Sequence, residues 1–357
     1  MANSFEKSFG EGILKDERFL YPEFVPDRLP FRDKEIGELV FSLKPAAMGK
    51  KPGNVFVSGS PGSGKTVTLK YVLNELEEFS DRAKCVYVNC FETSTRSGIL
   101  VKIANALGYP VPERGLGSDE VYERFVALLR SKKIVPIIVF DESEQLLKSD
   151  DSKKLIYDFS RMGEDKGLFV GMVFISNDSF FLSLLDERVR SSLQASYVAF
   201  EKYSSIELKE ILRGRASSAF FSNALEDEVI PLCAAHAAKN GGDARIAITV
   251  LLKAARLAER EGAAQVQLKH VRASFMQEKP VKFEIAENLS EQEFLVLNFV
   301  GGKEVDAGAV YKALNKKFAE RTLRKAVSDL EFKKILKTRK VPKGRGFTRM
   351  ISKSKQV

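Results

Sequence analysis

Short apolar runs alternate with helical patterns through the first half of the chain. Four runs rich in Val, Ile and Phe are nearly continuous: NVFVSG, KCVYVNC, IVPIIVFDE and GLFVGMVFISN. Such runs are typical of strands that are covered on both faces, and helical patterns such as GILVKIANALG and KKLIYDFSRMGE stand between them. This alternation predicts an α/β fold with a doubly wound, mostly parallel sheet.

The strand pattern stops near residue 204, and two further units are predicted beyond it. Three amphipathic segments, SSIELKEILRGRASSAFF, EDEVIPLCAAHAAKN and DARIAITVLLKAARLAEREG, predict a small helical domain. The last unit has three helical segments, the first opened by a capping box of Ser290 and Glu293, and then two strand-like pieces around a Gly-rich turn. We therefore predict an α/β domain over 1–203, a helical domain over 204–278 and a winged-helix domain over 279–357.

Composition places the chain among globular proteins. It is 44% hydrophobic and 10% aromatic, and no apolar run approaches the roughly 20 residues that span a bilayer. The first residues, MANSFEKSFGEG, lack the basic and apolar regions of a secretory signal. Three cysteines and two histidines form no metal-ligand pattern. We expect free thiols in a reducing compartment, a cytoplasmic and nucleoid-associated protein, and no membrane partner.

The net charge of +9 is unevenly distributed. Residues 279–357 hold 19 Lys and Arg against 9 Asp and Glu, a net charge of +10, so that residues 1–278 carry −1. The whole excess therefore lies in the last fifth of the chain. Such segregation predicts a polyanion as the partner of that part.

The stretch GSPGSGKT follows the apolar run NVFVS and matches the P-loop pattern G-x-x-x-x-G-K-[ST]. Glycines let the backbone N–H groups turn toward phosphates, at positions where a Cβ would clash. Lys65 reaches the β- and γ-phosphate oxygens, and the Thr66 hydroxyl binds Mg²⁺. The residues predicted to bind ATP or ADP are Gly59, Ser60, Pro61, Gly62, Ser63, Gly64, Lys65, Thr66 and Val67.

Polar side chains follow two other predicted strands and complete a candidate catalytic set. Asp141 and Glu142 end the run IIVFDE, and Asn177 ends GMVFISN. Asp141 is predicted to hold Mg²⁺ together with Thr66, and Glu142 to polarise the attacking water as general base. Asn177 is predicted to position that water near the γ-phosphate.

The order of these motifs, followed by LLDERVRSSL and GGDARIAI, resembles the AAA+ ATPases. More narrowly, nearly the whole chain resembles the archaeal replication initiators related to the eukaryotic origin recognition complex and its loading factor. The resemblance implies an AAA+ core with a helical lid and a winged helix. It also implies origin DNA, the replicative helicase and other initiator subunits as partners.

The stretch YPEFVPDRLPFRDKEIGEL is similar to the segment of that family that lines the adenine pocket. The similarity implies that Val25, Pro26 and Arg32 contact or cover the base. A Pro-rich linker is the alternative interpretation.

The resemblance also implies roles for arginines. Arg245, in GDAR, matches the lid arginine that senses the γ-phosphate, with an ordinary lid–core salt bridge as the alternative. Arg188 and Arg190 are candidates for a finger inserted into a neighbouring subunit's site, although many relatives carry an arginine where this chain has Ser192. Residues 147–167 match an initiator-specific insertion that touches DNA, and a plain crossover helix fits them equally well.

The C-terminal unit has the charge and spacing of a DNA-binding module. Leu323, Val327 and Leu330 follow a 3–4 spacing and are predicted to face the core, so that the residues between them point outward as in a recognition helix. No acidic residue follows Glu331. The predicted DNA-binding residues are Arg321, Thr322, Arg324 and Lys325 on this helix, and Lys340, Lys343, Arg345 and Arg349 in the wing.

Together these features predict an ATP-dependent DNA replication initiator that binds duplex origin DNA, hydrolyses ATP slowly and helps load the replicative helicase. One alternative is a clamp-loader-type ATPase, which has no winged helix. Another is a nucleotide-switched transcription regulator or signalling ATPase, which DNA footprinting would distinguish from an initiator. A small-molecule kinase fits least well, because the arginine-bearing lid and the wing have no role there.

Overall fold

The computed structural model describes residues 12–112, 115–277, 289–301, 304–315, 317–332, 335–343 and 346–353. The chain forms two compact units, Met1–Met276 and Gln277–Val357, each with its own core. Among the described residues, no helix combines the length and the apolar character that crossing a membrane requires.

A five-stranded parallel sheet is the centre of the first unit. Its strands lie in the order β2-β3-β4-β1-β5, and every neighbouring pair is parallel. The strands are β1 (Val55–Gly59), β2 (Ala83–Asn89), β3 (Val135–Asp141), β4 (Gly171–Ser176) and β5 (Ser196–Phe200). Parallel strands all end at the same edge of a sheet, and β3, β4 and β1 are neighbours. The segments that follow these three strands therefore meet there.

Helices cover both faces of this sheet. They are α1 (Asp33–Ala47), α2 (Lys65–Phe79), α3 (Arg96–Ala106), α4 (Ser118–Lys132), α5 (Asp150–Lys166) and α6 (Glu187–Leu193). On one face of the sheet, a buried cluster contains α1, α2 and strand residues such as Val57 and Val139. On the other face, a second cluster contains the helices from α3 through α6 and the neighbouring strand residues Phe56 and Phe140. Burial on both faces explains the nearly continuous apolar runs, and the predicted doubly wound parallel sheet is confirmed.

The structure adds elements that the apolar pattern did not indicate. The sequence predicted four strands, whereas β5 forms a fifth at the edge of the sheet. Its burial alternates, with Tyr197 half exposed and Val198 buried, as expected of a strand at the edge of a sheet. Residues 143–148 form a 3₁₀ helix before α5, so that the segment 147–167 is mainly the crossover helix between β3 and β4.

Four further helices form the rest of the first unit: α7 (Ser205–Ala219), α8 (Val229–Lys239), α9 (Ala244–Arg260) and α10 (Leu268–Gln277). A capping box of Ser204 and Glu207 fixes the start of α7. The N-terminal segment packs on this helical part, because Ile13 and Leu20 are buried in its core. Residues 12–24 therefore lie against the helices, and the chain then passes to α1 on the sheet.

The second unit consists of three helices and a small sheet. The helices are α11 (Glu291–Val300), α12 (Ala307–Leu314) and α13 (Glu320–Phe332), and the strands β6 (Val305–Asp306), β7 (Leu336–Lys343) and β8 (Gly346–Lys353) form an antiparallel sheet in the order β6-β8-β7. The predicted capping box of Ser290 and Glu293 is present. Leu323, Val327 and Leu330 are fully buried, as predicted. This order of elements is typical of a winged helix.

Candidate functional site

A cavity of about 570 Å³ opens where β1, β3 and β4 end. Its volume is in the range of small-molecule sites in proteins. Pieces of the chain far apart in sequence line it: the P-loop, the strand ends, the N-terminal segment and the helical part. Its lining includes Phe24, Pro26, Pro61, Gly62, Gly64, Lys65, Thr66, Val67, Asp141, Glu142, Asn177, Tyr203, Arg215, Ala244 and Arg245.

The P-loop connects β1 to α2, and its backbone conformation requires glycine. Gly62 and Gly64 have φ of 71° and 92°, in the left-handed region that side chains rarely adopt. A Cβ at Gly64 would also lie 2.5 Å from the Tyr203 hydroxyl. The side-chain oxygens of Ser60 and Ser63 are buried and have no hydrogen-bond partner among the residues that the structure describes. The loop therefore forms a tight cradle with polar groups that a phosphate could satisfy.

Lys65 is the first residue of α2 and is almost fully buried. Its Nζ donates to the carbonyl oxygens of Gly59 and Ser60 over 2.7 and 2.9 Å, and to Asn177 Oδ1 over 2.9 Å. Burial lowers the pKa of Lys65 below its ordinary value, and the Asp141 carboxylate acts in the opposite direction. The structure thus brings the P-loop lysine and the amide after β4 into direct contact.

Thr66 and Asp141 face each other across the end of the sheet. The Thr66 hydroxyl lies 3.5 Å from Asp141 Oδ2, and the Tyr87 hydroxyl at the end of β2 donates to the same oxygen. Burial and this hydrogen bond to Asp141 raise the pKa of Tyr87. Hydroxyl and carboxylate oxygens are the ligands that Mg²⁺ prefers, so this pair fits a Mg²⁺ ion.

Glu142 follows Asp141 in a left-handed conformation, with φ of 52°. Burial raises the pKa of Glu142 above its ordinary value, and the neighbouring carboxylates Asp141 and Glu144 add to the effect. Glu144 instead accepts a hydrogen bond from the Ser176 hydroxyl at the end of β4 over 2.6 Å. Of the two glutamates, Glu142 is the one that lines the cavity.

The N-terminal segment closes one side of the cavity. Pro26 lines it, together with Phe24 and Arg28. Val25 and Arg32 are not among the lining residues. Arg32 is instead buried behind the P-loop, where its guanidinium donates to backbone carbonyls of Ser63 and Glu201. Arg32 therefore contacts the P-loop itself, and its expected contact with the base stays a prediction.

Two arginines of the helical part reach the cavity. Arg245 lies in the first turn of α9 and pairs with Asp243 over 2.8 Å. Arg215, on α7, is buried and donates to the carbonyl oxygens of Phe19, Tyr21 and Phe24. Arg215 therefore fixes the N-terminal segment against the helical part at the edge of the cavity.

Arg188 and Arg190 lie on α6, outside the cavity of their own chain. Both side chains are exposed, and Val189 between them is buried. Ser192, two residues after Arg190, is half-buried. This position leaves both arginines available to another molecule and excludes them from the lining of the cavity described above.

The predicted DNA-binding residues of the C-terminal unit fall into three groups. Arg321, Thr322, Arg324 and Lys325 are exposed on α13, and Arg324 pairs with Glu320 over 2.6 Å. Arg349, on β8, turns back toward α13 and pairs with Glu331. Lys340 and Lys343 lie in β7 with side chains outside the described part of the structure, and Arg345 lies outside the described residues.

Sequence reasoning missed several side chains of the site. Tyr87 lies two residues before the end of β2, the strand beside the one that carries Asp141, so the parallel order of the strands was the available signal. Tyr203 and Arg215 carry no such signal, because neither belongs to a motif. Asp243 stands in the GDAR stretch that drew attention to Arg245, and its role as partner of that arginine was not predicted.

Two known protein families match separate parts of the first unit. The AAA domain family matches residues 48–179, and the Cdc6 AAA+ ATPase-type lid domain matches residues 209–276. The "ORC1-type DNA replication protein 1" of Sulfurisphaera tokodaii is 34% identical to the chain, over 93% of the chain and 88% of that relative. The ORC1-type DNA replication protein of Pyrococcus abyssi is 35% identical, over 93% of the chain and 85% of that relative.

Solved structures show the same likeness. The Aeropyrum pernix ORC1 protein, solved in complex with DNA, matches with a TM-score of 0.78 and 33% identity, over 97% of this chain and 95% of that one. Cdc6p of Pyrobaculum aerophilum matches with a TM-score of 0.67 and 24% identity, over 97% and 96% of the two chains, which shows a shared fold.

Proposed function

Since the chain belongs to the archaeal family of ORC1-type DNA replication proteins, which are AAA+ ATPases that initiate replication, we propose that it binds duplex origin DNA under the control of ATP. We assign residues 1–203 to the nucleotide-binding core, 204–278 to the lid and 279–357 to the DNA-binding winged helix. The observation that carries the proposal is the convergence of the P-loop, Asp141, Asn177 and Arg245 on one cavity.

The phosphates of ATP or ADP would lie along the P-loop, against its backbone N–H groups and the N-terminus of α2. Lys65 would exchange its bonds to Gly59 and Ser60 for bonds to the β- and γ-phosphates. The base would lie between the N-terminal segment and the lid, where Phe24, Pro26 and Ile211 line the cavity. These side chains offer apolar surface to the faces of a base, and Val25 and Arg32 of the same segment would also contact or cover it.

Thr66 and Asp141 would hold Mg²⁺, because their oxygens already face each other. Bound Mg²⁺ supplies positive charge that offsets the charge of the β- and γ-phosphates. Glu142 would accept a proton from the attacking water, and its raised pKa brings it closer to that of an efficient base at neutral pH. Asn177 would orient the water, and Arg245 would reach the γ-phosphate from the lid.

The C-terminal unit would grip duplex DNA with α13 in the major groove and the β7–β8 hairpin against the backbone. The support is the charge of +10 over residues 279–357 and the exposure of Arg321, Arg324 and Lys325. Helicase loading, contacts with other initiator subunits through Arg188, and association with the nucleoid complete the proposal. Arg349 would act mainly by fixing the wing to α13, because it pairs with Glu331.

Replacing Lys65 with Ala tests the nucleotide half. Titration calorimetry with ATP and Mg²⁺ should detect binding to the wild-type chain and none to K65A. Unchanged affinity in K65A would overturn the proposed phosphate site.

Removing residues 279–357 tests the DNA half. Gel shifts with duplex origin DNA should lose most of their binding, and undiminished shifts would show that the wing is not the DNA-binding module. Footprints at repeated elements beside a replication start support an initiator, whereas footprints confined to promoters would contradict it.

A further inference from the structure

Asp243 stands directly before α9 and holds the side chain of Arg245. Its Oδ1 accepts the backbone N–H of Arg245 over 2.8 Å, which caps the helix. The same carboxylate accepts Nε of Arg245 over 3.2 Å and Nη2 over 2.8 Å. The Asp243 side chain is only 15% exposed, whereas that of Arg245 is 55% exposed. A mostly buried carboxylate therefore holds a largely exposed guanidinium.

Asp243 also rests on the P-loop. A Cβ placed on Gly62 would lie 1.7 Å from Asp243 Oδ1, so the carboxylate fills the space that a side chain at Gly62 would occupy. The N–H of Ala244 donates to the Gly62 carbonyl oxygen over 3.2 Å. The start of α9 is thus attached to the loop that would carry the phosphates.

The pairing leaves part of the guanidinium available. Asp243 occupies the Nε and Nη2 edge of Arg245, and Nη1 has no partner among the described residues. Arg245 lines the cavity, whereas Asp243 is not among the lining residues.

The chain contains the same local arrangement at a second place. Asp16 caps a 3₁₀ helix and accepts the N–H, Nε and Nη2 of Arg18 over 3.0, 3.0 and 2.7 Å. Neither residue lines the cavity, and the Arg18 side chain is 76% exposed. The Asp-x-Arg pairing is therefore a local motif, and what distinguishes Asp243 is its contact with Gly62.

We propose that Asp243 is a positioning residue that fixes Arg245 relative to the P-loop, so that the arginine meets the third phosphate of ATP at a set distance. The proposal rests on the proposed function, in which Arg245 reads the γ-phosphate. It makes Asp243 a determinant of the preference for ATP over ADP, because ADP has no group at the position that Arg245 reads.

The test uses the full chain and the variant D243N. Asn keeps the size of the side chain and its capping oxygen, so α9 and the packing on Gly62 are retained, while the ion pair with Arg245 is lost. Titration calorimetry with ADP and with a non-hydrolysable ATP analogue, both with Mg²⁺, gives the ratio of the two affinities. We expect D243N to lower affinity for the analogue about 5- to 20-fold and to change that for ADP less than about twofold.

Two further variants separate this role from a structural one. D16N removes the equivalent pair far from the cavity and should leave both affinities unchanged. In an R245A background, D243N should cause no further loss of affinity for the analogue, because the group that it positions is absent. Melting curves of D243N and D16N report any general loss of stability.

The possible outcomes are distinct. A ratio that D243N leaves unchanged, with tight binding of both nucleotides, would overturn the role of Asp243 and leave the proposed function intact. If D243N instead binds the ATP analogue more tightly relative to ADP than the wild type does, the role is also overturned. Asp243 would then compete with the phosphate for Arg245. A wild-type chain that binds neither nucleotide would overturn the proposed function and the role of Asp243 together.

Discussion

Arg32 donates from Nη2 to the carbonyl oxygen of Ser63 in the P-loop over 2.7 Å, and this bond is buried. The same nitrogen donates to the carbonyl oxygen of Glu201 over 3.0 Å, just before the capping box that starts α7. The guanidinium also lies 4.0 Å from the ring centre of Tyr203. One side chain thus connects the P-loop to the segment that joins the sheet to the helical part.

Replacing Arg32 with Met should destabilise the first unit. Met keeps much of the aliphatic packing but leaves the carbonyl oxygens of Ser63 and Glu201 without their donor. We expect the free energy of unfolding to fall by about 2–4 kcal/mol, measured by urea denaturation. The control R82M changes an exposed arginine and should have an effect within about 0.5 kcal/mol. Equal effects of the two variants would contradict the role of Arg32.

Replacing Glu142 with Gln should separate nucleotide binding from hydrolysis. The amide keeps the shape of the side chain but cannot accept the proton of the attacking water, so the hydrolysis rate should fall about 10²- to 10⁴-fold. Affinity for ATP should change less than about twofold, since the P-loop is untouched. Phosphate release and calorimetry measure the two quantities, with E120Q on α4 as an exposed control. Hydrolysis at the wild-type rate would mean that another group is the base.

The Asp243–Arg245 pair should raise the free energy of unfolding at neutral pH, and this contribution should be lost in acid. Burial of Asp243 acts to raise its pKa, but the hydrogen bonds from Arg245 outweigh this and hold the pKa below its ordinary value. The contribution is therefore fully present above the pKa of the unfolded chain and is lost as the pH falls through the lower, folded value. The difference in unfolding free energy between wild type and D243N should shrink from about pH 7 to about pH 3.5. A difference that grows in acid would contradict this assignment.

Arg321 and Lys325 should contribute separately to DNA binding. Both are exposed on α13, so truncation to Ala should weaken duplex binding without unfolding the unit. A residue that contacts phosphate should lower affinity evenly across sequences and reduce the salt slope by about 1. A residue that contacts a base edge should instead change the sequence preference. Fluorescence anisotropy across a range of salt concentrations measures both effects.

Glu320 provides a control of opposite sign on the same helix. It holds Arg324 in an ion pair of 2.6 Å, so that E320Q removes a negative charge and frees the guanidinium. Duplex affinity should rise, most strongly at low salt, where exposed charges are least screened. If E320Q weakens binding as much as the Ala variants do, α13 does not face the DNA.

Much of the fold could be predicted because its signals are local. The four apolar runs and the capping box of Ser290 and Glu293 lie within short stretches, and all are present in the structure. The 3–4 spacing of Leu323 and Val327 likewise predicted the buried face of α13. The family that these motifs indicated is confirmed by relatives that cover most of the chain.

Other parts of the site depend on contacts between distant residues. Arg32 and Glu201 are 169 residues apart, and Arg215 and Phe19 are 196 apart. Neither contact has a spacing or composition that marks it in the sequence. The edge strand β5 was also missed, although residues 197–200 are a run of four apolar residues.

The sequence by itself determined the phosphate-binding loop and the acidic strand end, because one contiguous stretch and one strand terminus contain all the groups that these features require. It also determined the segregation of positive charge into the last fifth of the chain. Only the tertiary structure decided which side chains enclose the cavity and how Asp243 meets Gly62. Those contacts form when elements far apart in the chain pack together, and that packing depends on the shape of the whole unit rather than on any local pattern.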